Sequence, residues 1–147
     1  MEELVELRRY IEEQRYTEAL DLITEIEDMS REDKINKICN FAEVLLLHLI
    51  KQEAEKHTTR SWELSIRNAL RQITRINRRR KSDGRYVDNS ELSEIITEAY
   101  QPALELAALE AFEGQYDEQE LNQKVDRAAI ERKALELIVA YQEGRQV

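Results

Sequence analysis

Glycine, proline and cysteine are almost missing from this chain, at three, one and one among 147 residues. Sheets joined by tight turns need glycine, Asn-Gly and proline far more often, so an all-α fold is expected. The single cysteine, Cys39, cannot build an internal disulfide framework and points to a reducing compartment. Long hydrophobic runs are also lacking. The most apolar stretch, FAEVLLLHLI, contains Glu43 and His48, and it is about half of the roughly 20 residues that a membrane-spanning helix needs. The start, MEELVELRRYIEEQ, is charged from its second residue and has no apolar signal-peptide core. A cytoplasmic protein without membrane contact is expected.

Charge, by contrast, is abundant and unevenly placed. The net charge of −9 argues against nonspecific binding of nucleic acid or anionic lipid by the chain as a whole. Yet Thr58 to Arg85 holds nine basic residues against Glu63 and Asp83, a net +7, which leaves −16 for the remainder. The chain is polarised.

Apolar spacing predicts an antiparallel bundle of five to six helices in a single domain over 1–147. A helical hairpin is expected at 1–29: one helix over about 2–14 with Leu4, Leu7 and Ile11, and a second from Thr17 to Met29. Ser30-Arg-Glu-Asp33 reads as a capping box that opens a long central helix running to about Lys56. Phe41, Val44 and Leu47 fall outside that helix's main apolar face, so it is expected to be covered on more than one side, or to meet a second protomer. The bundle core is expected to span 30–113. The next helix starts near Thr59 or Ser61 and ends near Arg79. Around it, Trp62, Ile66, Ala69, Leu70, Ile73 and Ile76 share one face, while Arg60, Arg67, Arg71, Arg75 and Arg78 share the opposite one with Leu64. RRRKSDGRYVDN follows as a loop with the turn dipeptide Asp83-Gly84. Asp88 and Glu91 cap a helix ending at Gly114, with a kink or division expected at Pro102. Asp117 and Glu120 cap a last helix within 117–143, whose apolar residues exceed one stripe.

The motifs EIEDMSRED, LLLHLIKQ, TRSWELSIRNALRQI and SEIITEAYQPALELAALEAF make residues of about 17–113 resemble a bacterial family catalogued as domain of unknown function number 29. Ser61, Trp62, Ser65, Ile66 and Arg67 match its central motif, and His48 its Leu-His-Leu element. The resemblance departs at the C-terminus, where an extended proline-rich tail would be expected and this chain has a helix. It implies an all-α fold and supplies no activity, substrate or catalytic residue.

Candidate chemistry is thin. Glu43, His48, Glu53 and His57 share one helix, and Glu53 and His57 stand four apart, but di-iron bundles need Glu-x-x-His on two helices and none occurs here. Cys39 lies on an apolar face, where desolvation makes a thiol inert. No phosphate loop or nucleophile elbow is present, and no metal, cofactor or catalytic residue is assigned. The arginines are the one feature with functional content. Arg60, Arg67, Arg71, Arg75 and Arg78 are candidate contacts for a polyanion or a partner, with Arg79-Arg80-Lys81 extending them. The expected state is a solvated face, or one absorbed into salt bridges with neighbouring glutamate-rich helices. Trp62 is the expected packing anchor, with its indole N–H on a carbonyl. The first expectation for function is a non-enzymatic interaction module that self-associates, as in a homodimer, or binds a protein. Nucleic-acid association through the arginines is the alternative, and a metal-dependent enzyme the weakest reading.

Overall fold

The computed structural model describes residues 2–79 and 84–145. Its helices are α1 (Glu2–Glu12), α2 (Tyr16–Glu55), α3 (Arg60–Asn77), α4 (Asn89–Glu110), α5 (Glu118–Asn122) and α6 (Arg127–Gln142), with no strand among the described residues. The all-α bundle with a long helix is as expected. Two compact units divide the chain, Met1–Lys34 and Ile35–Val147, and the boundary falls inside α2. Arg80 to Asp83, which include most of the basic run and part of the expected turn dipeptide, lie outside the described residues.

In the first unit, Gln14 at φ 60° reverses the chain between α1 and α2. Ala19 and Leu22 are its buried apolar residues, and α1 buries none. The Tyr10 hydroxyl donates to Glu6 at 2.7 Å, and the Arg15 guanidinium lies 4.8 Å from the Tyr10 ring centroid.

The expected helix start at Ser30 does not exist, because α2 runs through it without interruption. A capping serine must leave the helical conformation, and residues 17–55 hold no glycine or proline to favour that. Continuing the hydrogen-bond ladder wins.

The second unit's core forms around the later part of α2. Ile38, Ala42, Leu45, Leu46, Leu49 and Ile50 meet Ile66, Ala69, Leu70 and Ile73 of α3, together with apolar side chains of α4 and α6. Leu47 is buried and Phe41 half-buried, as cover on more than one side requires, although Val44 stays exposed. The Asp88–Glu91 capping box opens α4 with both reciprocal bonds. Of the kink or division expected at Pro102, the division does not occur: α4 is one helix with the proline inside it. A helix-interior proline costs about 3 kcal/mol, but Ala99, Tyr100, Ala103 and Leu104 beside it are buried only if the helix continues.

Two further boundaries differ from expectation. The chain leaves α4 at Glu110 and turns through Phe112 (φ 52°), Glu113 (φ 59°) and Gly114 (φ 76°), all left-handed. Each non-glycine residue in that conformation costs about 1–2 kcal/mol. The turn places Phe112 against the core and edge-on to Tyr116 at 5.3 Å, which offsets the strain. The expected last helix is two: the Asp117–Glu120 box opens α5, and Asp126 accepts from the Ala129 amide at 3.2 Å to open α6. The second aspartate cap competes with continuation and wins.

Tyr100 ties these last elements to α4. Its hydroxyl donates to Asn122 Oδ1 at 3.0 Å, and the Arg127 guanidinium lies 4.4 Å from its ring centroid. Arg127 also donates to Glu131 at 2.7 Å, and the Thr97 hydroxyl donates to the same carboxylate. Burial pushes the Tyr100 hydroxyl pKa up to about 12, against the opposing pull of Arg127 and with help from Glu131 and Asp126.

An unfolded tyrosine ionises near 10.0. The stability contributed by neutral Tyr100 is therefore complete below pH 10 and is lost as pH rises through about 12, by roughly 2 kcal/mol. Denaturant midpoints of the chain and of Tyr100→Phe should diverge at low pH and converge above pH 10; parallel curves would contradict the assignment. Glu113→Gly should stabilise the chain by ~1 kcal/mol by relieving left-handed strain. Gly114→Ala should destabilise it, since its Cβ would stand 3.1 Å from the Leu109 carbonyl oxygen. Thermal melts of both variants check the pair.

Candidate polyanion interface on the third helix

Thr59 accepts from the Trp62 amide at 3.1 Å and starts α3 where a β-branched, hydrogen-bonding residue meets the helix-forming RSWEL. The helix then separates its residues by face, as the spacing predicts. Ile66, Ala69, Leu70 and Ile73 are buried. Arg60, Arg67, Arg71, Arg75 and Arg78 are all exposed, and Leu64 among them is 58% exposed. Arg67, Arg71 and Arg75 repeat every fourth residue, about 6 Å apart along the axis.

The expected salt bridges to neighbouring glutamates are not found. None of the five arginines forms an ion pair with a described carboxylate. Glu110 is taken by Lys51 at 3.0 Å and Glu131 by Arg127 at 2.7 Å. The guanidinium groups face solvent, which is the other half of the expectation.

Trp62 anchors the start of α3 differently from the expected carbonyl contact. Its ring lies between the Lys51 ammonium, 4.4 Å from the ring centroid, and the His57 imidazole, stacked at 5.0 Å. Lys51 is buried and reaches Glu110, so the indole, the ammonium and the carboxylate join α2, α3 and α4. Lys51 was not singled out from the sequence. Its place four residues after Leu47, on the second side of the helix that Phe41 and Val44 share, was the available signal.

A shallow depression of about 360 Å³ lies between α3 and α6, floored by Ile66, Leu70 and Leu137 and edged by Glu63 and Arg67. From Leu137 a second hollow of about 560 Å³ follows α6 past Leu135 and Val139, with Lys133 and Arg145 at its margin. An apolar floor edged by Arg67, Lys133 and Arg145, and also by Glu63 and Glu136, thus adjoins the arginine face.

The other candidates do not converge. Glu53 accepts from Lys56 at 2.7 Å while His57 stacks on Trp62, so this pair forms no chelate. His48 Nδ1 donates to the Val44 carbonyl at 2.9 Å. Among the described residues no three His, Cys, Asp or Glu side chains are placed to hold a metal ion. Burial, then Glu43 and Glu98, push the Cys39 thiol pKa above its usual value. No helix among the described residues is long and apolar enough to cross a membrane.

Asn77 closes the arginine face and is a functional position that sequence reasoning missed. It is fully buried at the end of α3. Its Nδ2 donates to the Val87 carbonyl at 3.2 Å and to Gln142 Oε1 at 2.9 Å, and its Oδ1 accepts from the Val87 amide at 2.9 Å. These bonds fix the segment carrying Arg78 and Arg85, which pair as an isolated antiparallel bridge. Asn77 follows Ile66, Leu70 and Ile73 on the buried stripe, and a polar residue there is the sign of an internal hydrogen-bonding role.

A family model, Domain of unknown function DUF29, matches residues 6–131. The chain belongs to this family. The match exceeds the 17–113 span expected from the motifs, reaching from within α1 into the start of α6, so the DUF29 domain includes most of the hairpin and α5. No curated protein and no solved structure matches the chain.

Asn77→Ala should cost about 2–3 kcal/mol, because it leaves the Val87 amide and carbonyl without partners in the interior. Urea unfolding measures it, and a loss under 1 kcal/mol would mean that the Arg78–Arg85 segment is held by something else.

Proposed function

We propose that this DUF29 protein is a non-enzymatic, cytoplasmic interaction module that captures an acidic amphipathic protein segment on the arginine face of α3 and the adjoining α3–α6 groove. One observation carries the reading: five exposed arginines lack a described intramolecular carboxylate on a face that also exposes Leu64. Solvated guanidinium groups are ready for bidentate contact with carboxylates. An exposed leucine among them, and a groove floored by Ile66, Leu70 and Leu137 that Arg67 borders, suit a partner with an apolar stripe of its own.

The same arginine ladder also supports nucleic-acid association, since phosphates accept the same bidentate bonds. Two features favour protein. Leu64 adds nothing to a phosphate backbone, and the −16 charge outside residues 58–85 repels a long polyanion. Trp62, the aromatic on α3 itself, is already contacted by Lys51 and His57 and so is poorly placed to stack on bases.

Affinity purification from the native cell tests the reading, with the chain compared with Arg67→Glu/Arg71→Glu/Arg75→Glu and with lysates treated or not treated with nuclease. The expected result is a protein, or an untagged copy of the chain, enriched regardless of nuclease and reduced at least tenfold by the triple substitution. Equal recovery on both baits, or no enrichment on either, refutes it. Nuclease-sensitive recovery establishes nucleic acid instead.

A further inference from the structure

α1 is an anomaly as it stands. It has 11 residues and buries none of them, although Leu4, Leu7 and Ile11 form a regular apolar stripe. Isolated helices below ~12–15 residues are marginal even in favourable sequences. Ala19 and Leu22 alone are buried in the unit around it, while Leu4, Val5, Ile11, Tyr16, Leu20 and Met29 are 49% to 70% exposed. A unit of this length does not build a sufficient core by itself and is ordinarily completed by association. A hollow of about 350 Å³ runs along Leu4, Leu7 and Ile11. The stripe is shaped for a partner.

Charge identifies which partner. Residues 1–34 hold twelve acidic side chains against five basic, a net −7. Glu2, Glu3, Asp21, Glu25 and Asp28 make no ion pair with a described cation. Two such hairpins repel one another. The complementary surface is on the same chain: residues 58–85 carry +7, Arg60, Arg67, Arg71, Arg75 and Arg78 form no ion pair with a described carboxylate, and the groove beside them is floored by Ile66, Leu70 and Leu137.

Resting on the arginine-face reading above, we propose that the acidic segment it captures is the N-terminal helical hairpin of a second copy of this chain, exchanged reciprocally. The Leu4–Leu7–Ile11 stripe lies in the α3–α6 groove of the partner copy, and the hairpin's carboxylates meet Arg67, Arg71 and Arg75. Reciprocity gives two identical contacts related by a two-fold axis, so the assembly closes as a dimer instead of propagating as a filament. Reciprocal exchange doubles the area buried by one contact, toward the roughly 1,200–2,000 Å² in total of a stable interface.

Light scattering of the full chain over a wide concentration range tests this, with circular dichroism confirming that each variant is helical. The expected species has twice the 17.4 kDa mass of one chain, with a dissociation constant rising at least tenfold between roughly 0.05 and 0.5 M salt. Arg67→Glu/Arg71→Glu/Arg75→Glu and, separately, Leu4→Gln/Val5→Gln/Ile11→Gln should each be monomeric. Mixed together at the highest concentrations they should form a heterodimer, weaker than the wild-type dimer, because one intact hairpin then meets one intact face. A monomeric wild-type chain at every concentration overturns the proposal, as does a dimer that survives either triple substitution, or a mixture that stays monomeric. A monomeric chain whose co-purifying protein is still lost with the arginines would sink the second copy as partner and leave the arginine-face reading intact.

Discussion

Ile38, Leu45, Leu46 and Ile50 lose all contact with water, and Leu47 and Leu49 nearly all, so the later part of α2 must be covered from several directions at once. That requirement organises the second unit. It draws the Ile66–Ile73 stripe of α3 inward, and because a helix is a rigid cylinder, the arginines one half-turn away are turned outward by the same act. It also keeps α4 whole across Pro102, since dividing the helix would unbury Tyr100 and its neighbours. The outward arginine face is therefore a consequence of core burial, and what remains to be explained is only its lack of a counter-charge.

Two counter-charges of the right sign on the neighbouring helices are committed elsewhere. Glu110 meets Lys51 beneath Trp62, and Glu131 is held by Arg127 and Thr97 around the Tyr100 ring. Both pairs lie at junctions between helices, where holding a glutamate against a cation also fixes how two elements meet. An exposed pair on α3 would contribute at most about 1 kcal/mol and nothing to the junctions. Stability therefore gives no reason to neutralise the face.

The parts that sequence made legible were those set by residues within one turn of each other. Asp88 with Glu91, Asp117 with Glu120, and the two-sided arrangement of α3 all follow from spacings of three and four. The parts it obscured depend on competition. Ser30 has the residues of a helix start, but its neighbours bond better by continuing; Asp126 has no more conspicuous a context, and there the cap prevails. Pro102 was read by its local cost, which distant burial outweighs. The left-handed turn at Phe112 and Glu113 is disfavoured by both residues and persists because Phe112 reaches the core. Among site residues the arginines were legible, whereas Asn77 and Lys51 were not, since their roles require Val87, Gln142, Trp62 and Glu110 to be brought in from far along the chain.

Polarised charge gains its meaning when the two ends of the distribution are compared with the apolar surface each carries. The acidic hairpin and the basic helix both expose leucine, and apolar surface by itself is indifferent to what it meets: hairpin could cover hairpin as readily as face. Charge removes that freedom. Like-with-like pairing would bring −7 against −7 or +7 against +7, and only the cross pairing neutralises both. In the proposed exchange, specificity is a difference between competing contacts, set as much by repulsion in the wrong pairings as by attraction in the right one. The near absence of glycine and proline contributes to the same end, because arginines and glutamates spaced by fours act together only on helices that do not bend away from register.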